Sequence, residues 1–347
     1  MPQVLQSMTT APVGGAPCLT PPGSGFWYST HWLATSLAGV NTQLQDLCIG
    51  CDPLQEEITH VTGVSGKRIR AALLLCWYGI GSGRTAPLKV ARLAAAAVEL
   101  MHEASLIHDD VCDNSTQRRG RSSVAAHFGI RRAALTGAFL ASRSVAELAS
   151  ICKNEGLGLD LASIRQLAEG QISESLTTRA PHLAGKSHYF GIVKSKTGSM
   201  FRLACELGSS LGNRYGGNVP KRKPQEFADS LAVAFQLLDD VLDIEADPGL
   251  LKPGRKDLAE GVPTWPILEW IASSPAPEAA WERVRQAHKE GAEIQQLYSD
   301  IVSSGSIQKA RSLVRSQLGI ARRVISTFPA SEARQGLEEL LTFLGSR

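Results

Sequence analysis

Lysine and arginine are missing from the first 66 residues of this 347-residue chain. All 36 basic residues lie from Lys67 onward, whereas Asp46, Asp52, Glu56 and Glu57 precede it. The formal net charge of +3 therefore hides a basic excess confined to the remainder of the chain. Such an excess suits anionic small molecules, and the acids mixed into it dilute it too far for a nucleic-acid surface. The N-terminus has neither a positive n-region nor an apolar h-region, so no secretory signal is expected. No run of about 18 uncharged apolar residues occurs, so no membrane span is expected. Alternating Val/Ile/Thr/aromatic runs between Gly or Asn turns are also scarce, which argues against a sheet protein. The seven cysteines (Cys18, Cys48, Cys51, Cys76, Cys112, Cys152 and Cys205) are odd in number and scattered. That usage speaks against a disulfide framework and for a reducing, cytoplasmic compartment. Cys48 and Cys51 form a lone CxxC; with no second CxxC or His pair at ligand spacing, two small apolar side chains are a simpler reading than zinc.

With 43% apolar and 20% charged residues the chain can bury a core. Residues 1–25, rich in Pro, Gly and Thr, read as a flexible leader, and residues 26–347 as one folded domain. Stretches such as ARLAAAAVELMHEASLIHDD and FADSLAVAFQLLDDVLDI repeat apolar residues at three and four. The breaks at 79–87, 211–224, 247–263 and 273–277 look like helix connections. The pattern predicts an all-α domain of about ten or more helices. Some, including 91–107, are apolar almost all round and belong inside a bundle.

Two of these helices carry the same acidic spacing: Asp109, Asp110 and Asp113 in LIHDDVCD, and Asp239, Asp240 and Asp243 in FQLLDDVLD. On a helix the first and last of each trio share a face about one turn apart. A solvated helix end would explain either trio alone. Both, however, follow strongly apolar turns, and neither has a lysine at i+4 to form surface pairs. Clustered carboxylates in such a setting need neutralising, and Mg²⁺ suits them because it takes a few carboxylates together with substrate phosphates. Basic residues stand in SGKRIRA (Lys67, Arg68, Arg70), DNSTQRRGR (Arg118, Arg119), SKTGS (Lys196) and LKPGRKDLAEG (Lys252, Lys256). Arginine forks and lysine point charges complement phosphate oxygens. Together the two sets describe one diphosphate bridged to Mg²⁺ beside a second held directly.

The ordered set GKRIR, HDDVCDNSTQRRG, GQ, KT, FQLLDDVLD and KPGRKDLAEGVPTWP, over roughly residues 60–270, resembles the trans-prenyltransferase family, the polyprenyl diphosphate synthases. That resemblance implies a single large helical bundle around a central cavity, dimeric, with the two aspartate motifs facing each other across its mouth. It implies that Asp109, Asp113 and Asp239 hold three Mg²⁺ on an allylic diphosphate, with Asp110, Asp240 and Asp243 supporting, and that Arg118, Lys196 and Lys252 contact that diphosphate. Gly66, Lys67, Arg70, His102 and Arg119 would bind isopentenyl diphosphate, and Gln171, Thr197 and Gln236 would lie near the substrates. Taken alone, His102 would read as a core histidine, and Gln171 and Gln236 as ordinary buried amides.

The implied reaction is ionisation, condensation and elimination: diphosphate leaves an allylic carbon, isopentenyl diphosphate attacks with its double bond, and the adduct loses a proton. Chain length is expected to follow from what closes the cavity one and two turns before Asp109. Ala104 and Ser105 are small there, with Met101 behind them, where bulky aromatics in the family stop growth early. A product of C20 or longer is expected. Four positions depart from the family pattern: Ala138 where an Asp follows Gly137, Ala71 for a proline, Leu251 for a glycine and Glu174 for an aspartate. Two other readings use the same fold: a class I terpene cyclase, and a noncatalytic subunit of a heteromeric synthase. The intact second trio and the Lys67/Arg70 cluster speak against both.

Overall fold

The computed structural model describes residues 29–49, 54–63, 66–82, 87–179, 185–245, 256–259, 261–290 and 294–347. The leader expected at 1–25, as well as Lys252 and Leu251, lies outside them. In chain order the helices are α1 (His31–Leu47), α2 (Gln55–Thr62), α3 (Ile69–Gly81), α4 (Leu88–Cys112), α5 (Val124–Phe128), α6 (Ile130–Asn154), α7 (Ala162–Arg179) and α8 (Lys186–Arg214). They continue with α9 (Arg222–Glu245), α10 (Lys256–Ala259), α11 (Trp265–Ser273), α12 (Pro277–Glu290), α13 (Ile294–Ser303), α14 (Ser306–Ile325) and α15 (Glu332–Gly345). The all-α expectation holds, with one small exception. Between α4 and α5 a two-residue hairpin pairs β1 (Gln117–Arg118) with β2 (Arg121–Ser122), antiparallel. Its turn residues Arg119 and Gly120 both have positive φ, 51° and 76°, the combination that a tight two-residue hairpin turn requires. Two residues per strand are too few to produce a visible alternation in sequence.

The helix periodicity reads directly as burial. In α14, Ile307, Ala310, Val314, Leu318, Ala321 and Val324 all face inward at steps of three and four. The break expected at 211–224 is narrower, because α8 runs on to Arg214 and α9 starts at Arg222. α8 is the central element, packed on α3, α7 and α9, while α4 packs on α1, α3 and α6. Contact between α3 and α8 is close because Gly208 and Gly212 lie one turn apart. A Cβ at Gly208 would stand 2.2 Å from the Leu74 carbonyl oxygen, and one at Gly212 2.6 Å from that of Tyr78. Trp77, fully buried, meets Phe227 and Phe328 edge-on at 5.6 and 5.7 Å, which ties α3 to α9 and to the segment after α14. None of the described helices is long and apolar enough to cross a membrane.

Candidate active site

Both acidic trios lie at C-terminal helix ends, where the helix dipole already disfavours negative charge. The first closes α4 and the second lies in the last two turns of α9, and neither helix has a basic residue in its last turn. The cost is visible in the carboxyls. Burial pushes Asp109 up to about 6 despite Lys196 nearby, and burial with Asp243 beside it pushes Asp239 upward against the pull of Lys67.

Lys196 on α8 links the two motifs. Its Nζ lies 3.5 Å from Asp109 Oδ2 and 2.5 Å from Glu174 Oε2 on α7. Burial works against its charge, yet Glu174 and Asp109 prevail and raise its pKa. Lys196, Glu174, Thr197, Gln236, Asp239 and Asp240 line one cleft, so the basic side chain bound to the first trio shares a wall with the second. Glu174, where the family has an aspartate, keeps a carboxylate in reach of Lys196.

Asp110 and Asp240, expected in a supporting role, differ from the outer aspartates of their trios. Both are buried and satisfied within the protein. Asp110 accepts from Arg118 through Nε at 3.0 Å and through Nη2. Asp240 accepts from Tyr189 Oη at 2.6 Å, Gln236 Nε2 at 3.0 Å and the Trp265 N–H at 3.2 Å; burial nevertheless pushes it up to about 7 against these bonds. The middle aspartate of each trio turns inward because neighbouring helix positions are 100° apart, so it cannot share the face of the other two. Gln236 in turn accepts from Thr197 Oγ1 at 3.1 Å.

The basic side is built by α3, α4 and the hairpin. Arg70 packs its guanidinium 5.3 Å above the Phe201 ring, and its buried Nε has no hydrogen-bond partner. Burial holds its pKa below the usual arginine range, against the pull of Glu99 and Glu103. Burial, then Arg70, Arg119, Arg68 and Arg118 in turn, hold His102 well below its usual range. A half-buried imidazole among four guanidiniums marks a place where positive charge is in excess, as an anion site requires. Gly66 adjoins Arg119, and Lys67 is exposed with Nζ 6.0 Å from the Phe343 ring centroid. The sequence reading missed Glu99 and Glu103, which pair with Arg68 and, in the case of Glu103, Arg119. Two acids four residues apart in an otherwise apolar helix were the available signal.

Met101 and Ala104 are buried on α4, and Ser105 returns its hydroxyl to the His102 carbonyl at 2.8 Å. Gln171 has both amide atoms buried without a hydrogen-bond partner. One departure gains a local explanation. Ala71 donates its N–H to Glu99 Oε1 at 2.9 Å, a bond that a proline could not make. Gly137 lies against His108, whose Nε2 would be 2.4 Å from an added Cβ, and Ala138 is exposed.

Magnesium fits the donor set. Among the described residues no three His, Cys, Asp or Glu close into a cage of their own. Mg²⁺ needs none, since it takes one or two carboxylates and completes its shell with water and phosphate oxygens. Asp109 and Asp113, and Asp239 and Asp243, offer oxygen donors of that kind.

Residues 51–301 match the polyprenyl synthetase family. Octaprenyl diphosphate synthase of Haemophilus influenzae is 31% identical over 250 residues, 71% of this chain and 74% of that protein. A polyprenyl synthase of Caulobacter crescentus, solved with calcium and isoprenyl diphosphate, is 28% identical, with a TM-score of 0.78 over 91% of this chain and 96% of that one. Heptaprenyl diphosphate synthase of Staphylococcus aureus has the same fold: TM-score 0.81 at 24% identity, over 91% and 98% of the two chains. The chain belongs to the polyprenyl synthetase family.

Proposed function

We propose that this chain condenses isopentenyl diphosphate with an allylic prenyl diphosphate, extending a linear trans-polyprenyl diphosphate to C20 or longer. One observation carries the reading: Lys196 touches Asp109 of the first trio and lines a single cleft with Asp239 of the second. A diphosphate there meets Lys196, and the cleft is also lined by apolar Ile192, Val193 and Leu268; Arg118, hydrogen-bonded to Asp110, would approach it from the first trio. Three Mg²⁺ held by Asp109, Asp113, Asp239 and Asp243 would supply the charge that those carboxylates lack and stabilise the departing diphosphate. Asp110 keeps Arg118 oriented, and Asp240 fixes Gln236 and Tyr189. Arg70, Arg119, Lys67, Gly66 and His102 form the isopentenyl diphosphate subsite. The buried, unpartnered Nε of Arg70 and the surplus of guanidiniums that depresses His102 support an anion subsite there. Lys252 joins the allylic subsite by the same resemblance. Met101, Ala104 and Ser105 set the depth available to the tail.

A homodimer is part of this reading. Helix α6 packs mainly on α4 and leaves Ile130 and Leu135 exposed, and α7 leaves Ile172 and Leu176 exposed, apolar side chains that a second copy could cover. Cys76, Cys112, Cys152 and Cys205 are free thiols, in keeping with a reducing compartment such as the cytoplasm. The decisive assay supplies purified protein with Mg²⁺, isopentenyl diphosphate and geranyl, farnesyl or geranylgeranyl diphosphate, and sizes the extracted products. Linear diphosphates of C20 or more are expected. Cyclic hydrocarbons from the allylic substrate alone, or no turnover without a second kind of chain, would overturn the proposal.

A further inference from the structure

Glu103 is a buried carboxylate outside both trios, one residue past His102 on α4, and two arginines from separate segments meet on it. Arg119 Nη1 reaches Glu103 Oε1 and Oε2 at 3.0 and 3.2 Å, and Arg68 Nη1 reaches Oε1 at 3.2 Å. Arg68 stands just before α3 and Arg119 at the hairpin turn, and both have a φ of 51°, a left-handed conformation uncommon for residues with a side chain. Arg68 is fixed further by Glu99 Oε2 at 3.3 Å and by Asn41 Oδ1 at 3.2 Å. On its other side Arg119 fills the space left by Gly66, where an added Cβ would stand 2.9 Å from Nη2. The guanidinium thus lies between the Glu103 carboxylate and the Gly66 backbone, in room that the missing side chain provides.

We propose that Glu103 is a positioning residue for the isopentenyl diphosphate subsite, acting through Arg119; this rests on the reading of Arg119 as a ligand of that diphosphate. Two effects oppose each other. The negative charge of Glu103 repels a diphosphate, but it is already shared between two guanidiniums. Without it, a long side chain on an exposed turn must be ordered afresh at each binding event, and the hairpin loses its tie to α3. Ordering is the larger effect, because the backbone at both arginines is left-handed and Glu103 is the one carboxylate that both share in the contacts above.

The test is steady-state kinetics of the full chain with Mg²⁺, varying each substrate separately. Glu103→Gln keeps the shape and removes the charge, and Glu103→Ala removes both; melting curves establish that each variant folds, and if the alanine variant does not, the glutamine variant carries the test. KM for isopentenyl diphosphate should rise about tenfold or more in each, with kcat and KM for the allylic diphosphate changed by no more than about threefold. Arg119→Ala should raise the same KM, and adding Glu103→Gln to it should have little further effect, as expected for residues acting through one another. If Arg119→Ala leaves that KM unchanged, the ligand reading fails and Glu103 loses its role with it. If Arg119→Ala raises it but Glu103→Gln leaves it unchanged or lowers it, the ligand reading stands and the positioning role is overturned. Equal rises in KM for both substrates, or effects that multiply in the double variant, also overturn it.

Discussion

At the ends of α4 and α9, burial drives the outward-facing carboxyls Asp109 and Asp239 above their ordinary range. At the start of α3 and on the hairpin, Arg68 and Arg119 are gripped by Glu103, and Arg68 by Glu99 as well. The acidic and basic halves of the proposed site therefore handle charge differently. The acidic half holds carboxyls that burial has raised, and its stability at neutral pH is lowered accordingly. The basic half carries acids of its own, which hold the arginines in place before any anion arrives. A site that binds metal with its substrate can leave carboxylates under-neutralised, whereas a site that binds a diphosphate directly benefits from donors already ordered.

Substitution should separate the two halves. The largest effect is expected for Asp109→Asn and Asp239→Asn, with turnover falling about 1,000-fold or more and the fold intact, measured as product formed in saturating Mg²⁺. Turnover within tenfold of the parent would end the contrast. The inward aspartates should behave otherwise. Asp240→Ala strands the Tyr189 hydroxyl, the Gln236 amide and the Trp265 N–H, and should cost about 3 kcal/mol or more in denaturant unfolding.

The pH dependence tests the under-neutralised state directly. A carboxyl raised to about 6 in the folded protein favours its protonated form there. Its contribution to stability is therefore full below the unfolded-state value near 4 and is lost as pH rises through about 6. In chelator, Asp109→Asn should melt above the parent at pH 8, and the difference should vanish below about pH 4. A difference independent of pH would show that Asp109 carries no such strain. The smallest effect is expected for Ala71→Pro. It removes the N–H that binds Glu99 and should cost about 1 kcal/mol, a fall of a few degrees in Tm. A gain in stability would mean that this bond contributes nothing to the basic half.

The trios were legible because their geometry is local: four residues on a helix fix a shared face whatever the rest of the chain does. The same rule, followed one residue further, turns Asp110 and Asp240 inward. Glu103 could not be paired from sequence, since its partners lie 16 and 35 residues away and reach it only when α3 and the hairpin fold against α4. The role of Ala71 was equally hidden, because a proline-to-alanine departure gains meaning only once Glu99 stands opposite the freed N–H. The hairpin escaped notice because two-residue strands leave no alternation to read.

By itself the sequence determined the helices, their buried faces and the six aspartates at the ends of α4 and α9, because short-range periodicity and residue type suffice for these. Only the tertiary structure decided which carboxyls stay available and which are spent on Arg118, Tyr189 and Trp265, and only it brought Lys196 against Asp109 and Glu103 against two arginines. Those outcomes depend on distances between segments far apart in the chain, which packing sets and no local pattern encodes.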